Sequence, residues 1–168
     1  EDDLVMISDL DEIPNPDKIS EFNKEKKYAC FLQKNFHQKL NLLNTSIKEW
    51  PGTKICIKKY LKSPQWLRNI KTKKRPFWKF YKIKWNLIKS GGWHFSFLQT
   101  PDKILNKIRS FSHGEFYDEN MNENTIKKKI LNNEDIFNRG FRLKKIEMDS
   151  SYPEYILKNK EKYSKWII

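Results

Sequence analysis

Three carboxylates fall within four positions of the stretch LVMISDLDEIPNP, residues 4 to 16: Asp9, Asp11 and Glu12. Asp9 and Asp11 are two apart, so in an extended chain their side chains point the same way. Two hard oxygen ligands on one side suit Mg²⁺ or Mn²⁺ shared with a substrate diphosphate. A solvated turn would use the same residues and need no ligand. The D-x-D triplet alone does not choose, because nine aspartates in a chain of 168 give roughly half a match by chance. An EF-hand loop is excluded: it would need an acid or Asn where Ile13 stands and Gly where Pro14 stands. Position counts in favour of a site, since ligands of open α/β sheets gather at the carboxyl ends of strands.

The element that must carry this motif is Leu4-Val5-Met6-Ile7, a continuous apolar run expected to be a strand buried on both faces of a parallel sheet. Asn15-Pro16-Asp17 reads as N-cap, N1 and N2 of a short helix carrying Ile19 and Phe22. From Tyr28 to Ile57 the segments YACFLQKNF, KLNLL and TKICI read as short strands, the last two separated by Trp50-Pro51-Gly52. Ser63-Pro64 opens a helix through Trp66, Leu67 and Ile70, and SGGWHFSFL, residues 90 to 98, reads as a further strand. Thr100-Pro101-Asp102 caps a helix whose Ile104, Leu105, Ile108 and Phe111 form one apolar stripe. NTIKKKILNN repeats that pattern around Ile126, Ile130 and Leu131, and Tyr152-Pro153-Glu154 starts a terminal helix. The order of elements is mixed α/β. With no internal repeat and no dividing linker, a single domain over residues 1–168 is expected.

Composition sets the wider bounds. Aromatic residues make up 14% of the chain, too many for a disordered one, so it reads as globular. No segment approaches the roughly 18 consecutive apolar residues of a membrane span. The chain begins with Glu1 inside an acidic-then-apolar pattern and reads as a piece of a longer protein. A net charge of +13 invites a nucleic-acid or anion-binding module, with its focus at Lys71 to Trp85. Yet 29 of the 34 basic residues are Lys, whereas base-edge and phosphate forks favour Arg. Lys, Asn and Ile are inflated together, as AT-rich codons produce, so no nucleic-acid partner is expected. Cys30 and Cys56 show no zinc spacing and leave disulfide formation open.

The blocks ISDLDEIPNP and GGWHFSFLQTPDKILNKIRSFSHGEF together resemble glycosyltransferase family 17, the family of β-1,4-mannosyl-glycoprotein 4-β-N-acetylglucosaminyltransferase. That pattern has an SD-x-DEIP block, a GWHFS block, a Lys/Ile-rich helix and an H-x-EF block. Here Ser8 to Pro14, Gly92 to Ser96, Lys103 to Arg109 and His113 to Phe116 supply them in order. The closing YPEYILKNKEKY is also similar, so the resemblance spans essentially the whole chain.

The resemblance implies a GT-A-like nucleotide-sugar transferase domain lacking its N-terminal part. It implies inverting transfer of a sugar, GlcNAc, from a UDP-sugar donor to a glycan acceptor with Mn²⁺ or Mg²⁺. Membrane association would come only through segments outside this chain. Asp11 is then expected to ligate the metal, and Asp9 to hold the ribose or a metal-bound water. Glu115, beside His113, is the first candidate for the catalytic base. Glu12 is the second, unless it orients the turn by hydrogen bonds. His94, His113, Trp93 and Gly92 are candidates for substrate binding, His94 because Gly91-Gly92 would let backbone approach a ligand. A packed histidine and a core Trp93 are the plainer alternatives. A non-catalytic relative acting as a binding protein is the remaining reading.

Overall fold

The computed structural model describes residues 2–72, 83–110 and 121–168. Its strands are β1 (Leu4–Ile7), β2 (Glu12–Pro14), β3 (Tyr28–His37), β4 (Leu42–Asn44), β5 (Trp50–Ile57), β6 (Asn86–Ile88), β7 (Gly92–Ser96) and β8 (Leu143–Lys145). Its α-helices are α1 (Pro64–Asn69), α2 (Pro101–Ser110), α3 (Glu123–Leu131) and α4 (Glu154–Lys158). They fall in two compact units, each assembled from two stretches of chain. The first joins Glu1–Lys34 to Glu49–His94, and the second joins Asn35–Lys48 to Phe95–Ile168. Among the described residues no helix is long and apolar enough to cross a membrane.

In the first unit β5 lies between β1 and β3, antiparallel to both, and β6 pairs parallel to β3 through Ala29↔Asn86 to Phe31↔Ile88. The sheet is therefore mixed. β1 runs beside β5 from Leu4↔Ile57 to Ile7↔Lys54 and has only that partner among the described residues. It is an antiparallel edge strand, exposed at Leu4 and half-buried thereafter, not a strand buried inside a parallel sheet. Its apolar side chains are used on one face, where Met6 packs against the core of Phe22, Ala29, Phe31, Ile55, Ile57 and Ile88.

Trp50-Pro51-Gly52 belongs to β5 itself and is not a separator before it. Proline cannot donate to a ladder. Pro51 lies beyond the end of β1's pairing, and on the other side the β3 register slips between Cys30 and Leu32, where Leu32 faces Pro51. That bulge absorbs the missing donor. Two short elements follow their caps as expected. Asn15 Oδ1 accepts from Asp17 N to start a 3₁₀ helix at Pro16–Glu21, and Ser63 Oγ accepts from Trp66 N to start α1.

In the second unit β4 pairs antiparallel with β8, and Phe36 stacks on Phe95 with ring centroids 5.3 Å apart. α2 and α3 bury Ile104, Leu105, Ile108 and Ile126 together with Met121 and Ile136. Ile130 is only half-buried and Leu131 is exposed, so the stripe expected on α3 is narrower than its sequence suggests; Phe111 lies outside the described residues. Asn41 ties the C-terminus down: its Nδ2 donates to Ile168 O at 2.7 Å and its Oδ1 accepts from Ile168 N at 3.0 Å.

Candidate functional site

The acidic motif is a turn in the first unit. Glu12 N donates to Asp9 O at 3.0 Å, closing a four-residue β-turn between β1 and β2. Asp9 and Asp11 are thus not on one face of an extended segment, and Leu10 stands fully exposed at the tip. A chain of side-chain hydrogen bonds fixes the entry to this turn. Gln33 Nε2 donates to Thr53 Oγ1 at 3.1 Å, and Ser8 Oγ donates to Glu12 O at 2.7 Å. The Thr53 hydroxyl therefore gives its proton to Ser8 Oγ, 2.7 Å away, which is otherwise the acceptor left over.

Each carboxylate has a different employment. Glu12 Oε1 accepts from Trp50 Nε1 at 2.9 Å and Oε2 accepts from Asp9 N at 3.2 Å, so Glu12 orients the turn. Asp9 receives a guanidinium fork, Arg68 Nε to Oδ1 at 2.7 Å and Nη2 to Oδ2 at 2.8 Å. The hydrogen bond to Asp9, and then that carboxylate's charge, push the Arg68 pKa up. Lys54 secures the base of this arm. Its Nζ donates to Arg68 O at 2.5 Å and Ile70 O at 2.7 Å, satisfying carbonyls at the end of α1. Burial pulls the Lys54 pKa below that of an ordinary lysine.

Asp11 meets the second motif block across a strand pair. β2 and β7 run antiparallel with Glu12↔His94, Ile13↔Trp93 and Pro14↔Gly92. This sets His94 Nε2 3.4 Å from Asp11 Oδ2. The His94 ring stacks on Trp50, centroids 4.5 Å apart at 17°, and is 7% exposed. Among the described residues its buried Nδ1 has no hydrogen-bond partner. An orphaned acceptor is tolerated better than an orphaned N–H. The proton therefore belongs on Nε2, facing Asp11.

The glycine pair serves strand contact, not the approach of a ligand. Gly92 has φ +136°, and a Cβ there would lie 2.1 Å from Ile13 O. At Gly91 a Cβ would lie 2.7 Å from Phe31 Cβ, while Gly91 N donates to Leu32 O and Gly91 O accepts from Asn15 N. Trp93 is 6% exposed and offers no ring face to a sugar; the core alternative describes it. His113 and Glu115 lie outside the described residues, as do positions 73–82 of the basic segment. Trp85, at the end of that segment, packs 6.1 Å from Tyr28.

A cleft of about 320 Å³ opens beside the turn, lined by Ser8, Asp9, Glu12, Trp50, Lys54 and Arg68 among others. A divalent cation can be tested against the donors at the turn; Asp11 and its neighbour His94 are not among the residues lining that cleft. Among the described residues no group of three or more His, Cys, Asp or Glu is placed to hold a metal. A Mg²⁺-type ion, however, needs only one or two protein ligands when a substrate phosphate and waters complete its shell. The 3.4 Å between Asp11 Oδ2 and His94 Nε2 fits two neighbouring positions around one ion. An imidazole beside a carboxylate suits Mn²⁺ better than Mg²⁺. Asp9 does not fit as arranged, because both of its oxygens are held by Arg68.

Comparison with protein-family models, with curated proteins and with solved structures finds no match for this chain. Sequence reasoning missed Trp50, Lys54 and Arg68. Trp50 was one of six tryptophans and the two cations were among 34, with no spacing to single them out. The available signal for Arg68 was that it is one of only five arginines.

Proposed function

We propose that this chain is a glycosyltransferase of the family 17 kind, GT-A-like in fold, passing a sugar from a UDP-sugar to a glycan acceptor with a divalent cation. One observation carries the reading. The two blocks behind the resemblance lie far apart in sequence, yet β2 and β7 pair them residue by residue and bring Asp11 to His94. That meeting supports the reading, because a donor site built from both blocks needs them side by side.

Asp11 and His94 would hold the cation, which supplies Lewis-acid neutralisation of the charge growing on a leaving diphosphate. For His94 to serve, Nε2 would be the bare nitrogen and the ring proton would sit on Nδ1 instead. Glu12 keeps Asp9 and Trp50 in place, and the Trp50 indole fixes the plane of the His94 ring. Glu12 is therefore a positioning residue, and the base that would take the acceptor hydroxyl proton is assigned to Glu115 by the resemblance alone.

Calorimetric titration with UDP, with and without Mn²⁺, tests the proposal. UDP binding that Mn²⁺ tightens about tenfold or more, with that gain lost in Asp11→Asn, is expected. Binding that is indifferent to both would refute it. So would salt-steep binding of an oligonucleotide in place of UDP, which would favour the basic-module alternative.

A further inference from the structure

We propose that the cleft beside the turn is an anion subsite whose anchor is Arg68, and that its Asp9 fork is the resting partner of a guanidinium meant for a diphosphate. This rests on the transferase reading only for the ligand's identity; the site itself is argued from its own geometry. Lys54 and Arg68 both line the cleft. Lys54 is committed to two backbone carbonyls, and those bonds pin the end of α1 from which Arg68 projects. Arg68 thus has a fixed backbone and a side chain that is 52% exposed, against an Asp9 side chain that is 41% exposed. A pair this open contributes little to stability, because water competes for both partners.

The chemistry favours exchange. A guanidinium presents parallel N–H donors that match a phosphate as well as a carboxylate, and a diphosphate carries more charge and more oxygens than Asp9. Ser8 and Glu12 of the cleft wall are already bonded to Thr53 or to the turn, so neither has to move for the exchange. Asp9, once released, stays hydrated at the surface. Its carboxylate then has oxygens open toward the same ligand, consistent with the ribose or metal-water role expected for it. The fork acts as a latch: the cation is stored on the carboxylate that the ligand must displace.

The probe is inorganic diphosphate, titrated by calorimetry into the chain at fixed ionic strength with a chelator present. Saturable binding is expected. Arg68→Gln should weaken it about tenfold or more, as loss of a charge-assisted fork does. Arg109→Gln, which removes the same charge from exposed surface on α2, should change it less than about twofold, the scale of an exposed charge. Asp9→Asn should tighten it several-fold, because the competitor is gone. Equal losses from Arg68→Gln and Arg109→Gln would show general attraction to a basic surface and overturn the proposal. Weaker binding in Asp9→Asn would overturn the latch, as would no binding by the unaltered chain. Diphosphate binding on this pattern without Mn²⁺-dependent UDP binding would sink the transferase reading and leave the subsite standing.

Discussion

Gly92→Ala tests the joint on which the candidate site depends. Gly92 has φ +136°, a region that side chains with a Cβ rarely occupy, at a cost of about 1–3 kcal/mol. The added methyl would also lie 2.1 Å from Ile13 O, 2.9 Å from Asn15 N and 3.0 Å from Pro14 Cα, all backbone atoms. Ordinary contact is about 3.5–4.0 Å, so β2 must move away from β7 by more than an ångström, beyond what a hydrogen bond tolerates. Losing ladder bonds at about 1 kcal/mol each brings the local cost to about 3 kcal/mol or more. Gly140→Ala is the control: φ is +76°, but a Cβ there meets no atom of the described residues within 4 Å. It should cost only the left-handed backbone term, about 1–2 kcal/mol. Amide hydrogen exchange at Asn15, whose N–H donates to Gly91 O at 2.9 Å, reads the first effect directly. Each 1.4 kcal/mol is tenfold, so Asn15 should exchange about a hundredfold faster in Gly92→Ala. Unchanged protection of Asn15 would refute the claim that this glycine is required by the β2–β7 approach.

Two further outcomes follow from side chains near the same turn. Glu12→Gln keeps an acceptor for Trp50 Nε1, so it should retain Mn²⁺-dependent UDP binding within a few-fold, whereas Glu12→Ala should lose about 1–3 kcal/mol of stability and shift tryptophan emission to the red; sugar transfer abolished in the Gln variant with folding and UDP binding intact would restore Glu12 as a base. Burial pushes the Cys30 thiol up to about 12 and raises that of Cys56, and neither is in a disulfide. A group whose folded value is raised holds its proton longer than the unfolded chain does. The Cys30 contribution is therefore intact below the ordinary thiol value of 9.0 and is lost as pH climbs toward 12. Labelling of Cys30 at pH 8 should proceed about a thousandfold more slowly in the native chain than in denaturant, and equal rates would contradict the burial.

Local chemistry was the legible part of this chain. Asn15-Pro16-Asp17 and Ser63-Pro64 announce their caps because capping depends on residues within a turn of each other. Leu4–Ile7 was recognisable as a strand, but an apolar run has the same appearance in a buried parallel strand and in an antiparallel edge strand packed on one face. Pro51 and Gly52 read as a break because the bulge that accommodates them lies on another strand, at Cys30 and Leu32. The same limit explains the site. Asp9, Asp11 and Glu12 were visible as a group, yet their separate roles are set by Arg68, His94 and Trp50, partners supplied by α1, β7 and β5. Nothing in the spacing of SDLDEIP distinguishes a carboxylate held by a guanidinium from one facing an imidazole.

The division of the chain has a consequence for synthesis. The first unit needs both Glu1–Lys34 and Glu49–His94, while Asn35–Lys48, made between them, belongs to the other unit. During translation the acidic turn leaves the ribosome ahead of the residue that Asp11 faces, which is the last of its unit to emerge. Until then β2 has no β7 to lie against, and the exposed Leu10 and three carboxylates stand on an unfinished edge. Completion of the site is therefore a late event in the life of the nascent chain, and a ribosome stalled before His94 would display every acidic residue of the motif while Asp11 still lacked the imidazole it faces.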